Sequence, residues 1–113
     1  MTRDPIRAMA ILKPHEGKDR EMVAFLREFY SMMYDKQYSR DTLFRDNKHP
    51  GIFVHVRIWL SDEARDAAMQ DPDVHHYWMT LSEYGTITTI YEELQPIFST
   101  QEGLVEDILE TGV

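Results

Sequence analysis

The run Ile52 to Leu60, IFVHVRIWL, constrains what this chain can fold into more than any other stretch. Side chains alternate across a strand, so the run divides into two sets. One set, Ile52, Val54, Val56, Ile58 and Leu60, is wholly aliphatic. The other is Phe53, His55, Arg57 and Trp59. A solvent face rarely carries both Phe and Trp, and a dry core does not bury His and Arg without partners. The aliphatic set is therefore expected to meet the helices, and the mixed set to look away from them into a sheltered space. That space is either a ligand cavity or the interface with a second copy.

The neighbouring segments supply the rest of a sheet. Ile6 to Leu12 reads as a strand with Ile6, Ala8, Ala10 and Leu12 on one face and Arg7, Met9 and Ile11 on the other. From about Gly17 to Tyr34, Met22, Phe25, Leu26, Phe29 and Met33 recur at helical spacing and form one apolar stripe. Thr42 to Arg45 is a short strand, and DNKHPG after it is a hairpin connection. Ser61 is placed to cap a helix reaching about Gln70, with Asp62 and Glu63 in its first turn. Asp71 and Pro72 open a second helical piece, as N-cap and first helical residue, reaching about Ser82. A last strand follows from Thr86 to Leu94, introduced by Gly85, and a short tail helix is expected at about 100–111. The order β-α-β-β-α-β predicts a ferredoxin-like α+β fold: one domain over residues 1–113, with a four-stranded antiparallel sheet and helices on one face. Such a sheet leaves its other face bare, and packing against a second copy would cover it, so a homodimer is expected.

Composition excludes several classes of function. Twenty acidic residues against 12 basic ones leave a formal charge of −8. That excess speaks against nucleic acid and anionic lipid as partners, because phosphate neutralisation needs clustered Lys and Arg. Cysteine is absent, which removes disulfides, thiol nucleophiles and cysteine-ligated metals. No apolar run approaches a membrane span and no signal peptide is read, so a cytoplasmic protein is expected.

Chemistry is concentrated at two places. The first is the mixed strand face. Arg57 in an apolar space requires an anion, either Glu92 or Glu93 on the last strand or a phenolate, enolate or carboxylate of a substrate. His55 lies about 7 Å along the same face. Together they would deprotonate a phenol or enol and hold the resulting anion, or else form a hydrogen-bond network at an interface. The second place is DVHHYW, Asp73 to Trp78. Val74, Trp78 and Leu81 make a core stripe, with Tyr77 beside it. His75 and His76 point about 100° apart on a helix, so they do not share one metal, and neither HxxxH nor HExxH occurs; no metal is expected. Either histidine is solvent-exposed or reaches the mouth of the pocket, where a group titrating near neutral pH handles a proton.

The stretch His49 to Asp73, HPGIFVHVRIWLSDEARDAAMQDPD, resembles the third strand and second helix of antibiotic biosynthesis monooxygenase-like domains, and the wider resemblance covers about residues 6–97. Trp59 falls where the family carries a tryptophan at the strand end. Ala68 stands where relatives often have a histidine, Pro72-Asp73-Val74 where they often have PHF, and IRAMAIL lacks the asparagine that several relatives carry on the first strand. The resemblance implies a dimeric α+β barrel with a pocket in each subunit. Some members oxidise aromatic polyketides with O₂ and neither metal nor flavin, while others degrade haem or act on quinols. On that basis the expected activity is cofactor-independent monooxygenation of an aromatic, polyketide-like small molecule, with no cofactor. His55 is the expected base, Arg57 the anion clamp and His76 or His75 an auxiliary. Phe53, Trp59, Trp78, Tyr91 and Met9 are the expected substrate contacts. Isomerisation or cyclisation of a similar substrate, and a non-enzymatic binding dimer, remain alternatives.

Overall fold

Met22, Leu26, Phe29 and Met33 are buried along one side of the first helix, and the sheet is built against that stripe. The computed structural model describes residues 5–98 and residue 100; the tail helix expected at about 100–111 lies outside the described residues. The elements run β1 (Arg7–Pro14), α1 (Asp19–Asp35), β2 (Ser39–Arg45), β3 (Phe53–Trp59), α2 (Asp62–Met69), α3 (Pro72–Thr80), a 3₁₀ turn (Leu81–Glu83) and β4 (Gly85–Leu94).

Local chemistry explains the boundaries. α1 ends where Gln37 takes a left-handed backbone, φ 61°. The N–H of Tyr38 then reaches back to the Met33 carbonyl at 3.0 Å, closing the helix end. In the β2–β3 turn the Asp46 carboxylate accepts from the backbone N–H groups of Lys48 and His49, at 2.9 and 3.2 Å. Ser61 caps α2 as expected, its hydroxyl accepting from the Ala64 N–H at 2.9 Å. Asp71 caps α3 through the Asp73 N–H at 2.9 Å, with Pro72 in the first turn. β2 begins at Ser39, earlier than the TLFR pattern suggests.

The strands are ordered β2-β3-β1-β4 and every neighbouring pair is antiparallel. This bears out the ferredoxin-like plan. It corrects the expected barrel: the sheet is open, with β2 and β4 at opposite edges and not paired to one another. Four strands twisting about 20–25° each do not curl far enough to bring their edges together, and small barrels take about eight.

The faces of β3 are the reverse of those expected. Phe53, His55, Arg57 and Trp59 are buried, while Val54, Val56 and Ile58 are only half-buried and Leu60 is exposed. The mixed row therefore faces its own helices, and the aliphatic row lies on the open side of the sheet. The polar row goes inward because the helix side supplies its partners: Asp41 from β2, Tyr30 from α1 and the Trp78 ring from α3. β1 follows the same register. Ala8 is paired with Arg57, Ala10 with His55 and Leu12 with Phe53, all on the helix side.

One polar cluster ties the helices together. The Lys36 ammonium bonds Asp71 at 2.7 Å and Asp73 at 2.9 Å, and the Tyr38 hydroxyl donates to Asp71 at 2.8 Å. The Lys36 contact first, then Tyr38 and the Asp73 N–H, holds the Asp71 carboxyl at about 2, below its ordinary value of 3.8. A depressed carboxyl pKa contributes stability that is present above 3.8 and is lost as pH falls through about 2. The melting temperature of the wild-type chain is expected to fall more steeply between pH 4 and pH 2 than that of Asp71→Asn. Added salt should narrow the difference, because the cluster lies near the surface. Thermal melts across that range check it.

Candidate functional site

A cavity of about 420 Å³ lies between the sheet and helices α2 and α3. Its origin is a difference in side-chain size. On β1, Ala8 and Ala10 sit opposite Arg57 and His55, and Ala68 is buried on α2. Three short side chains leave room that longer residues would fill. His55, Arg57, Trp59, Arg65, His75 and Trp78 line the space, and Glu92 and Ile90 of β4 complete one side. This volume suits a small organic ligand.

Arg57 carries a buried charge. Its Nε donates to Asp41 Oδ1 at 2.7 Å and its Nη2 to Asp41 Oδ2 at 3.1 Å. The two side chains are 2% and 1% exposed. The guanidinium also packs on three rings: Phe29 at 4.9 Å, Trp59 at 5.3 Å and Trp78 at 5.4 Å. The expected pairing with Glu92 or Glu93 is thereby corrected. Asp41 is the register partner of Arg57 across β2–β3, whereas Glu93 bonds Arg65 Nη2 at 2.7 Å. A strand starting at Thr42 excludes Asp41. The alternation Ser39, Asp41, Leu43 on a longer β2, together with the demand of a buried arginine for an anion on an adjacent strand, is the signal that finds it.

His55 is held from α1, where Tyr30 Oη lies 2.5 Å from its Nδ1. Its ring stands edge-on to Trp78, with centroids 5.8 Å apart at 86°. Burial first, and then the nearby Arg57 charge, lowers the His55 pKa from 6.5 to about 3, so the imidazole is neutral at physiological pH. Burial, with the Asp41 charge adding to it, raises the Tyr30 pKa, so the hydroxyl keeps its proton.

Three buried nitrogens have no hydrogen-bond partner among the described residues: His55 Nε2, Trp59 Nε1 and Arg65 Nε. All three belong to side chains that line the same cavity. Trp59 Nε1 and Arg65 Nε are donors only, and His55 Nε2 donates or accepts according to its tautomer. An unpaired buried donor costs about 1–3 kcal/mol, so the lining is complementary to a ligand rich in oxygen acceptors. Larger depressions exist, among them a groove of about 620 Å³ between α1 and β2, but none of these three nitrogens lines it.

The remaining expected site residues divide. Trp59 and Trp78 line the cavity, and Met9 borders it, where the β1–β4 register shifts. His75 lies on its rim, with Nε2 2.5 Å from the Met69 carbonyl. His76 is exposed and is not part of the lining; its ring rests against Tyr77. Phe53 is buried beneath the start of α1, away from the cavity. Tyr91 pairs with Met9 and stays exposed, outside the lining. Sequence reasoning missed Arg65, Tyr30 and Asp41. Among the described residues no three His, Asp or Glu side chains gather so as to hold a metal ion, and no helix is long and apolar enough to cross a membrane.

The chain matches no protein-family model and no curated protein. Solved structures share its fold. SnoaB of Streptomyces nogalater, a cofactor-independent oxygenase, is 17% identical, with a TM-score of 0.67 over 83% of this chain and 97% of that one. A candidate antibiotic biosynthesis monooxygenase of Chloroflexus aurantiacus J-10-fl is 18% identical, with a TM-score of 0.66 over 83% and 94%. PA3566 of Pseudomonas aeruginosa is 12% identical, with a TM-score of 0.67 over 86% and 98%. At these identities the likeness establishes a common fold.

The Arg57–Asp41 pair generates a stability prediction. Asp41→Ala strands a buried guanidinium and is expected to cost about 3–5 kcal/mol, whereas replacing both partners, as Asp41→Leu with Arg57→Met, should cost far less. Urea denaturation of the single and double variants measures the difference.

Proposed function

We propose that this chain is a cofactor-independent monooxygenase acting on an aromatic, polyketide-like small molecule bound between the sheet and helices α2 and α3. The observation that carries the reading is the set of three unpartnered nitrogens, His55 Nε2, Trp59 Nε1 and Arg65 Nε, on the lining of one cavity. Trp59 and Trp78 offer apolar ring surface for a planar substrate, and Met9 borders the space. The fold shared with SnoaB supports the reaction class.

In this reading His55 is the base. Its Nε2 takes the proton of a phenol or enol, and the N–H groups of Trp59 and Arg65 stabilise the oxyanion left behind. Arg57 does not clamp that anion alone, because Asp41 already engages two of its nitrogens. The electron-rich anion reduces O₂ itself. It gives one electron to form superoxide and a substrate radical, and the two combine into a C–O bond. The peroxide anion so formed takes up one proton, replacing the one lost in the first step, and then loses water, converting a CH₂ carbon to C=O and leaving the second oxygen atom in that water. All four electrons needed to reduce O₂ come from the two C–H bonds of that carbon. His75, on the rim, serves as the auxiliary group, while His76 stands apart from the cavity.

The test is oxygen uptake with polycyclic hydroxyarenes and their keto tautomers. One O₂ is expected per carbonyl formed, and His55→Ala should lower kcat by about 10²-fold or more. Because His55 stays neutral above about pH 3, its loss of function comes only as pH falls toward that value. The rate should therefore show no acid limb near 6.5. Turnover without oxygen uptake would indicate isomerisation or cyclisation instead, and no turnover with any such compound would remove the enzymatic reading.

We also propose a homodimer packed through the open face of the sheet. Val54, Val56 and Ile58 are half-buried there. Phe44, which pairs with Val54, is 53% exposed and Tyr91 48%, an apolar surface of the kind that marks an interaction site. Sedimentation should give twice the chain mass for wild type and a monomer for Val56→Glu; a wild-type monomer would overturn it.

A further inference from the structure

The cavity and the groove between α1 and β2 share a wall. His55 and Arg57 line the cavity side, and Tyr30 and Asp41 line the groove side. Two polar pairs cross it: Tyr30 Oη to His55 Nδ1 at 2.5 Å, and Arg57 Nε to Asp41 Oδ1 at 2.7 Å. We propose that Tyr30 is a positioning residue for His55, holding the imidazole proton on Nδ1 and passing to the groove the proton that a ligand delivers to Nε2. The proposal rests on the reading of His55 as the base.

The geometry requires a second route for the proton. His55 is 3% exposed and sits two residues from a buried guanidinium on the same face of β3. An imidazolium formed there would be desolvated and repelled by Arg57. Burial and Arg57 already depress the His55 pKa to about 3, which opposes storage of a proton on the ring. A proton that arrives at one nitrogen must therefore leave from the other in the same event. Histidine is suited to this, because its two nitrogens exchange roles without a net charge.

The ligand O–H bond breaks and an Nε2–H bond forms. The Nδ1–H bond breaks and its proton passes to Tyr30 Oη, whose own proton goes to solvent in the groove. The ring ends neutral in the other tautomer, the tyrosine ends neutral, and the ligand is left as an anion beside the Trp59 and Arg65 N–H groups. Asp41 does not substitute for Tyr30, because both its oxygens are engaged by Arg57. The other ionisable groups that share the cavity lining with the ring are Arg57 on its own strand, Arg65 and Asp66 on α2, His75 on α3 and Glu92 on β4, with Asp41 of β2 behind Arg57. None of these is hydrogen-bonded to His55 among the described residues.

Histidine ¹⁵N NMR on the full chain tests the positioning without any ligand. The wild type is expected to carry the His55 proton on Nδ1, with Nε2 unprotonated, and Tyr30→Phe to shift the proton to Nε2. A wild type protonated on Nε2, or an unchanged tautomer in Tyr30→Phe, overturns the proposal. The wild-type spectrum decides the first point even if the variant does not fold. Oxygen uptake with a polycyclic hydroxyarene tests the relay: Tyr30→Phe should lower kcat by about tenfold or more with KM changed less than about twofold. A wild-type kcat in that variant overturns the relay. If the wild type consumes no oxygen with any such compound, the proposed reaction fails, and the tautomer measurement alone decides the role of Tyr30.

Discussion

Arg57 and Asp41 meet in the interior with their charges almost wholly removed from water. Desolvating two such ions costs several kcal/mol each, and only well-made geometry recovers it. Here the geometry comes from the sheet itself, because the two residues are directly opposed across β2 and β3. Shifting β2 by one residue would send Asp41 to the other face and leave the guanidinium alone. The pair therefore sets the β2–β3 register and decides which side of β3 turns inward. Once Arg57 is inside, alternation carries Phe53, His55 and Trp59 with it, and Val54, Val56 and Ile58 are left on the open side.

The chemistry of the cavity follows from the same pair. The charge of Arg57 helps keep His55 neutral, and its guanidinium draws Phe29, Trp59 and Trp78 around it. The short side chains of Ala8, Ala10 and Ala68 then leave space beside a neutral imidazole and two fixed donors. A site of this kind favours charge that forms on a ligand over charge already on the protein. The reaction proposed above, driven by an electron-rich substrate anion, requires such a site. A third layer, the Tyr30 hydroxyl behind His55, links the cavity to the opposite groove.

Local pattern was readable to within a few residues. The stripe of Met22, Leu26, Phe29 and Met33, the caps Ser61 and Asp71, and the break at Gly85 all appear where periodicity and capping chemistry put them. These are short-range effects, in which a side chain and the backbone that it serves lie within one turn. The site was legible in part: His55, Arg57, Trp59, Trp78, Met9 and His75 do border one cavity. Phe53, Tyr91 and His76 do not. Phe53 shares the buried face but sits beyond the cavity's end, Tyr91 is exposed on β4 outside the lining, and His76 turns away from its neighbour by the helical step.

The amino-acid sequence by itself determined the element order, and with it the ferredoxin-like sheet, because each element's period is written in consecutive residues. It also determined that two unlike faces exist on β3. Only the tertiary structure decided which of them is inside, since a period of two is symmetric and carries no label for the core. Hydropathy alone points the wrong way there. The aliphatic row looks more fit for burial, yet the row with His55 and Arg57 is buried because Asp41, Tyr30 and Trp78 converge on it from three other elements. That convergence joins positions 16 to 25 residues apart in the chain, and no local spacing encodes it.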